Sequence, residues 1–160
     1  MADLRNKTGF SALDKVVFSS KAHRDFFLQS IKMCRKTDVY HVSLIYCLGI
    51  DRDTRDKINR IYDFSTGYVK TECLKEGWQT SGSRRIVLMA FNLYTSSVPS
   101  VCDHEKLEQQ LAECIRYSVD ELFCCAYAPY FWQAIKLRYP EYCQMPAACY
   151  SGTEEESWEK

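Results

Sequence analysis

Apolar residues recur along most of this chain with the spacing of helices, and short polar stretches separate the runs. The longest pattern lies between Trp78 and Thr95, where a polar loop leads to Ser83 as the predicted N-cap. Two apolar stripes follow, made of Ile86, Met89, Ala90 and Leu93 and of Val87, Phe91 and Tyr94. A helix with so little polar surface is expected at the buried centre of a domain.

Three helices are predicted before this central one from their N-caps. Ser20 begins a helix that runs through residue 34. Asp38 begins a second helix, which Gly49 ends in the manner of a C′ glycine. Asp51 or Asp53 begins a third, rich in i, i+4 charge pairs and therefore expected on the surface.

Three more helices are predicted in the last third of the chain. The first runs from Asp103 to about residue 116, and positions 107, 111 and 115 form its apolar face. Ser118 and Glu121 form a capping box that begins the second. Pro129 fits the first turn of the last helix, and Pro140 lies just beyond its end.

These elements predict a mainly α protein, a single compact irregular helical domain of about seven helices with one short β-hairpin at most. The domain is expected over residues 15–150, with a loose arm at 1–14 and an acidic flexible tail at 151–160. A chain of 160 residues with 46% hydrophobic content is long and apolar enough for one core.

Composition narrows the functional classes. The 21 basic residues equal the 21 acidic ones, so the chain lacks the basic excess typical of nucleic-acid binders, although a local patch stays open. The start has no apolar signal segment, and no run is long enough to span a membrane. Most of the nine cysteines lie in apolar helical patterns and no export signal is present, so we expect reduced, buried thiols in a cytoplasmic protein. Their spacing lacks C-x-x-C, so we expect no metal, and we expect no cofactor.

The start of the central helix is the first candidate site. Arg84 and Arg85 place two cations at the positive end of the helix dipole, so an anion is expected beside them. Either a ligand phosphate or carboxylate, or an internal carboxylate such as that of Glu72 or Glu76, could fill this place. The predicted anion- or partner-binding residues, within or beside the segment Ser81–Arg85, are Trp78, Gln79, Ser83, Arg84 and Arg85.

The last predicted helix and its flanks are unusually rich in tyrosine and tryptophan. Such residues, with nearby arginine, are favoured anchors of protein interfaces, and they serve equally well in a core. The predicted partner-binding residues are Tyr127, Tyr130, Trp132, Arg138 and Tyr139.

No strong catalytic signature is present. His41 shares a helix face with Leu44, Ile45 and Leu48, which indicates a core histidine with satisfied hydrogen bonds rather than a catalytic one. The G-x-S-x-G and H-E-x-x-H motifs are absent, so the sequence leans against an enzyme without deciding the question.

Three segments together resemble a family of small uncharacterised proteins from Clostridia-like bacteria and their phages and mobile elements. They are DVYHVSLIYCLGIDRDTRDKINRIYDF, WQTSGSRRIVLMAFNLY and DELFCCAYAPYFWQAIKLRYPEY, and the resemblance spans about residues 15 to 143. The residues that carry it are Tyr40, His41, Leu48, Gly49, Ile50, Asp53, Thr54, Arg55, Trp78, Gln79, Thr80, Arg85, Ala90, Phe91, Asn92, Ala128, Pro129, Tyr130 and Phe131. The resemblance implies a mobile-element setting and no activity.

The sequence therefore favours a non-enzymatic binding protein that acts on a macromolecular partner, expected to be a protein. The mobile-element setting implies an inhibitor of a host defence system such as a CRISPR nuclease. The alternative is a small nucleotide- or nucleic-acid-binding protein that uses an anion site at Ser81–Arg85. No membrane partner is expected, and the oligomeric state is left open.

Overall fold

The structure, a computed structural model, describes residues 15–143, and these residues form a mainly helical domain. The predicted arm at 1–14, the tail at 151–160 and the end of the predicted domain lie outside the described residues. Eight α-helices are present in this part of the chain: α1 Lys21–Ser30, α2 Val39–Leu48, α3 Arg52–Asp56, α4 Ile58–Ile61, α5 Ser81–Thr95, α6 Leu107–Arg116, α7 Val119–Phe123 and α8 Ala128–Arg138. Three 3-10 turns accompany them, at Ile31–Met33, Thr71–Lys75 and Pro99–Asp103. The mainly α prediction is confirmed.

The core is built around α2. Every residue of α2 from His41 to Leu48 is buried, and the helix packs against α5 on one side and α8 on another. The predicted burial of α5 is also confirmed, because its residues from Ile86 to Phe91 are all buried. Two mutually packed apolar helices with α8 across them therefore replace the single central helix that the sequence suggested.

Several predicted helix ends are confirmed by the hydrogen bonds that cap them. The Ser20 side chain accepts from His23 N, and the Asp38 side chain accepts from the backbone N–H groups of Tyr40 and His41. Ser118 caps α7 by accepting from Glu121 N. Because these side chains satisfy orphan N–H groups locally, the caps were readable from the sequence.

Other boundaries differ from the predictions. The first helix ends at Ser30 and gives way to a 3-10 turn, and the predicted third helix is broken at Lys57 into α3 and α4. No β-hairpin occurs between residues 15 and 143; an isolated antiparallel bridge joins Tyr62 to Val69. The helix predicted from Asp103 begins only at Leu107, because Asp103 instead ends a 3-10 turn and accepts a hydrogen bond from Thr71.

Gly49 ends α2 as predicted, but for a different physical reason. Its φ is −79°, so it does not need the left-handed conformation of a C′ glycine. Instead, a Cβ at this position would lie 2.5 Å from Cδ2 of His23 and 3.0 Å from Cδ1 of Phe26. The glycine is required because the His23 ring packs directly against the backbone.

The His23 ring joins the N-terminal segment to α2. Its Nε2 donates to the carbonyl of Tyr46 at 2.8 Å, and its Nδ1 accepts from Ser19 N at 3.1 Å. Both ring nitrogens are thus satisfied in the neutral form, and the side chain is fully buried. Burial lowers the pKa of His23 to about 4. The hydrogen bond to Tyr46 opposes this shift, and the charge of Arg55 adds to it.

Replacing Gly49 with alanine should destabilise the protein by about 1–3 kcal/mol, because the added methyl group must displace a buried imidazole. Gly77→Ala is the matched control, since nothing lies within 4 Å of a Cβ built there, and it should change the free energy of unfolding by less than about 0.5 kcal/mol. Urea denaturation measures both. Equal stabilities for the two variants would contradict the packing described for Gly49.

The buried neutral His23 should make stability fall with acid in a defined window. The unfolded histidine, with a pKa of 6.5, takes up a proton that the folded one with a pKa of about 4 resists. The contribution is fully present above pH 6.5 and is lost as the pH falls towards 4, by about 3 kcal/mol in total. Urea denaturation from pH 7.5 to 4.5 should show a steeper loss for the wild type than for His23→Gln. Parallel curves would contradict this assignment.

Candidate functional site

The predicted anion site at the start of α5 is built differently from expectation. The N-cap is Thr80 and not Ser83, so the helix begins one turn earlier, at Ser81. Thr80 and Ser83 form a capping box, in which each side chain accepts from the backbone N–H of the other. Ser83 is buried, and its hydroxyl lies 2.8 Å from Oε1 of Gln79. The polar loop therefore caps its own helix.

The two arginines of this site find partners within the chain, and these partners are carbonyl oxygens rather than carboxylates. Arg84 Nη2 donates to the carbonyl of Leu74 at 3.0 Å, and Arg85 Nε donates to the carbonyl of Glu121 at 2.9 Å. The expected internal carboxylate of Glu76 is instead bound to Arg60 at 2.7 Å. Arg84 and Arg85 thus fasten α5 to neighbouring segments without neutralising their charge.

Trp78 and Gln79 are likewise engaged by the chain. The indole N–H of Trp78 donates to the carboxylate of Glu76, and the amide of Gln79 donates to the carbonyl of Cys73 at 3.1 Å. The hydrogen bond from Arg60 holds the pKa of Glu76 below its ordinary value. Slight desolvation opposes this effect, and the hydrogen bond from Trp78 adds to it. The binding role of Trp78–Arg85 stays a prediction, and the geometry gives these residues a structural role as well.

The tyrosine-rich segment divides into buried and exposed residues. Tyr127 and Tyr130 are partly buried against the core, and the hydroxyl of Tyr127 lies 3.2 Å from Asp51. Arg138 is buried, donates to the carbonyl of Leu93 at 2.9 Å, and lies 3.6 Å from the ring centroid of Tyr40. Trp132 and Tyr139 are exposed. These two side chains are the predicted partner residues best placed to meet a partner.

A pocket that the sequence did not reveal lies between the start of α2 and the end of α5. Its volume is about 690 Å³, and it is lined by Arg35, Lys36, Asp38, Tyr40, His41, Thr66, Gly67 and Tyr94. These residues come from three segments that are distant in the chain, so no local pattern indicated the cavity. Only the basic pair Arg35 and Lys36, just before the N-cap of α2, stood out in the sequence at this place.

A chain of polar contacts crosses this pocket. Asp38 Oδ1 lies 2.7 Å from His41 Nδ1, His41 Nε2 lies 3.4 Å from the Tyr94 hydroxyl, and that hydroxyl donates to the carbonyl of Gly67 at 2.7 Å. Partial burial acts to raise the pKa of Asp38, but hydrogen bonds from His41 and Tyr40 outweigh it and leave the pKa below its ordinary value. His41 is buried as predicted and its Nδ1 is paired with Asp38, while the Nε2 edge of the ring forms part of a cavity wall.

The α6 helix presents its apolar face outwards, contrary to the usual interpretation of such a pattern. Leu107, Leu111 and Ile115 are 68%, 57% and 62% exposed, and Val119 at the start of α7 is 73% exposed. They occupy positions i, i+4 and i+8 of one helix face, continued by Val119. The apolar face that the sequence analysis identified on this helix therefore lies in solvent.

The reason for this reversal is a buried carboxylate on the opposite face. Glu113 is 5% exposed and accepts from Ser100 Oγ at 2.6 Å, while Ser100 lies 2.7 Å from the Tyr117 hydroxyl. His104 Nε2 and Arg116 Nη1 lie 3.6 and 3.4 Å from its second oxygen. Burial raises the pKa of Tyr117 to about 12, so this hydroxyl keeps the proton it donates. This network fastens the polar side of α6 to the domain.

The expectation of buried thiols holds for only part of the cysteines. Cys47 and Cys73 are buried, and burial raises the pKa of the Cys73 thiol to about 12. Cys102, Cys114 and Cys124 are exposed. In the described part of the chain, no three His, Cys, Asp or Glu side chains converge as metal ligands would. None of the helices between residues 15 and 143 combines the length and the apolar character needed to cross a bilayer.

The described residues form a small helical domain that carries a polar pocket beside α2 and an exposed apolar face on α6. Residues 13–150 match the family of unknown function DUF6075, and the chain belongs to this family. No curated protein and no solved structure matches the chain. Membership of an uncharacterised family is thus confirmed, and the bacterial or phage setting stays a prediction.

Because Arg84 fastens α5 to the carbonyl of Leu74, Arg84→Met should lower the free energy of unfolding by about 1–2 kcal/mol. Arg24→Met is the control, since Arg24 is exposed on α1, and its effect should stay within about 0.5 kcal/mol. Urea denaturation compares the two. If Arg84→Met were as stable as the control, the guanidinium would be free for a ligand, as the sequence first suggested.

Proposed function

We propose that this protein is a non-enzymatic binding protein whose contact surface for a protein partner is the outward face of α6. The observation that carries the proposal is the exposure of Leu107, Leu111 and Ile115 on one helix face, extended by Val119. Burying a side chain of this kind contributes about 1.5–3 kcal/mol, so a face of four is costly to leave in water. Contiguous apolar surface of this kind is typical of interaction sites.

The contacts under α6 explain how the apolar face stays exposed. Glu113 lies two positions from Leu111, roughly 200° around the helix, so one side of α6 must face inwards when the other faces out. The hydrogen bond from Ser100, the guanidinium of Arg116 and the nearby imidazole of His104 favour the inward position for Glu113. A rotation of α6 that buried its apolar face would break these hydrogen bonds and leave the hydroxyl of Ser100, which also contacts that of Tyr117, without its carboxylate partner.

The charges at the rim of the face indicate the chemistry of the partner. Four exposed carboxylates lie along or beside the face against two cations; they are Glu105, Glu108, Asp120 and Glu121, with Lys106 and Arg116. An acidic rim complements an apolar strip flanked by basic residues on another protein. It disfavours an anionic membrane, which amphipathic helices meet with lysine and arginine, and it disfavours a second copy with the same acidic rim.

Trp132 on α8 and Tyr139 after it are further exposed aromatic side chains that are accessible to a protein. The absence of catalytic motifs in the sequence supports a role in binding rather than in chemistry. An inhibitor role against a host defence system would use such a surface, and it stays a prediction that the family resemblance alone supports.

A benzophenone amino acid at position 111 should form a covalent adduct with a specific protein when the full chain is irradiated in its native cells. The same residue at position 24, exposed on α1, should not. With the captured partner purified, Leu111→Lys should weaken binding at least about tenfold, and Glu108→Lys should weaken it further if the partner is basic.

The thermal stability of Leu111→Lys should match that of the wild type, because Leu111 is 57% exposed and the substitution leaves Glu113 untouched. Adducts between two copies of the chain, or tight binding to anionic vesicles that Leu111→Lys abolishes, would overturn the proposed partner. Unchanged affinity of Leu111→Lys for the captured protein would remove α6 as the contact surface.

A further inference from the structure

We propose that the pocket between the start of α2 and the end of α5 binds a small molecule that carries a phosphate group. The inference is independent of the α6 face, because none of the eight residues that line the pocket belongs to α6 or α7. A cavity of about 690 Å³ falls within the range of small-molecule sites. Its polar groups supply positive charge and hydrogen-bond donors.

Arg35 and Lys36 provide the charge at the mouth of the pocket. Both side chains are exposed, and neither lies within 4 Å of a carboxylate oxygen of residues 15–143. Two neighbouring cations at a concave surface attract anions, and an arginine beside a lysine suits the oxygens of a phosphate.

The single acidic residue in the pocket does not cancel this charge. Asp38 Oδ1 already accepts from the backbone N–H groups of Tyr40 and His41 and lies 2.7 Å from His41 Nδ1. The carboxylate is therefore committed to capping α2 and orienting the imidazole. The ring is held with Nε2 turned away from Asp38, towards Tyr94.

The proton count at Tyr94 leaves the Nε2 edge of His41 available. The Tyr94 hydroxyl has one proton, which it donates to the carbonyl of Gly67 at 2.7 Å. It cannot donate the same proton to Nε2 of His41, 3.4 Å away. Nε2 therefore receives no proton from Tyr94, and this edge of the ring faces the pocket.

Gly67 lines one side of the pocket, next to two tyrosine hydroxyls. The Tyr94 hydroxyl lies 3.6 Å from the place that a Cβ on Gly67 would take, and the hydroxyl of the buried Tyr62 lies 3.8 Å from the same place. Gly67 itself has a φ of +80°, so a glycine is favoured in this turn. The absence of a side chain at Gly67 keeps this side of the pocket open.

The charged and hydrogen-bonding groups of the pocket match a phosphate monoester better than a carboxylate. A phosphate group brings close to two negative charges and three acceptor oxygens, which two cations and the imidazole edge can share. A carboxylate has one charge and two oxygens. The rings of Tyr40, His41 and Tyr94 then form a wall against which an organic body can pack.

The test follows the imidazole signals of the three histidines by NMR while phenyl phosphate, inorganic phosphate or benzoate is added at constant ionic strength. The His41 signal is assigned by elimination, using His23→Gln and His104→Asn. Phenyl phosphate should shift it saturably with a Kd below about 1 mM, inorganic phosphate should bind more weakly, and benzoate should bind at least about tenfold more weakly than phenyl phosphate.

Arg35→Gln combined with Lys36→Gln should weaken phenyl phosphate binding at least about tenfold. The matched control, Arg24→Gln with Lys75→Gln, removes two exposed cations outside the pocket and should stay within about twofold. Equal weakening by the two double variants would show general charge attraction and overturn the site. No saturable shift up to about 10 mM, or equal affinity for benzoate, would also overturn it.

Discussion

The burial of α2 from His41 to Leu48 is the constraint on which the rest of the described structure depends. An apolar helix surrounded by protein must have both ends satisfied without help from water, because unpaired backbone groups are costly to bury. Asp38 satisfies the first turn, and the close packing of His23 on Gly49 closes the other end. With these ends fixed, α5 and α8 have a defined surface to cover.

The two ends of α2 also hold two buried imidazoles in place, those of His41 and His23. At the start of the helix, the aspartate that caps the backbone also orients the imidazole of His41, and so a structural cap becomes one wall of a pocket. At the other end, the imidazole of His23 is buried and neutral, with both nitrogens committed to the backbone of the chain. Two histidines that look alike in the sequence thus differ because only one borders a cavity.

The α6 helix shows how a buried polar group can reverse an apolar pattern. The hydrophobic effect alone would turn Leu107, Leu111 and Ile115 inwards. The Glu113 network competes with it, since removing Glu113 from Ser100 and Tyr117 would leave buried polar groups unpaired. As a result, the polar side of α6 is bound to the domain through Glu113, and its apolar side faces solvent. An apolar side chain in solvent contributes nothing to the core, but it can contribute to an interface with another protein.

The sequence alone determined the helical class and the burial of α5. It also determined the helix caps at Ser20, Asp38 and Ser118 and the proline at the start of α8. These features depend on residues a few positions apart, which a linear pattern records. Only the tertiary structure decided that Arg84 and Arg85 bind carbonyl oxygens, that α6 faces outwards, and that Asp38, His41 and Tyr94 share a pocket. Each of these outcomes depends on a partner many residues away, and periodicity carries no information about which distant groups will meet.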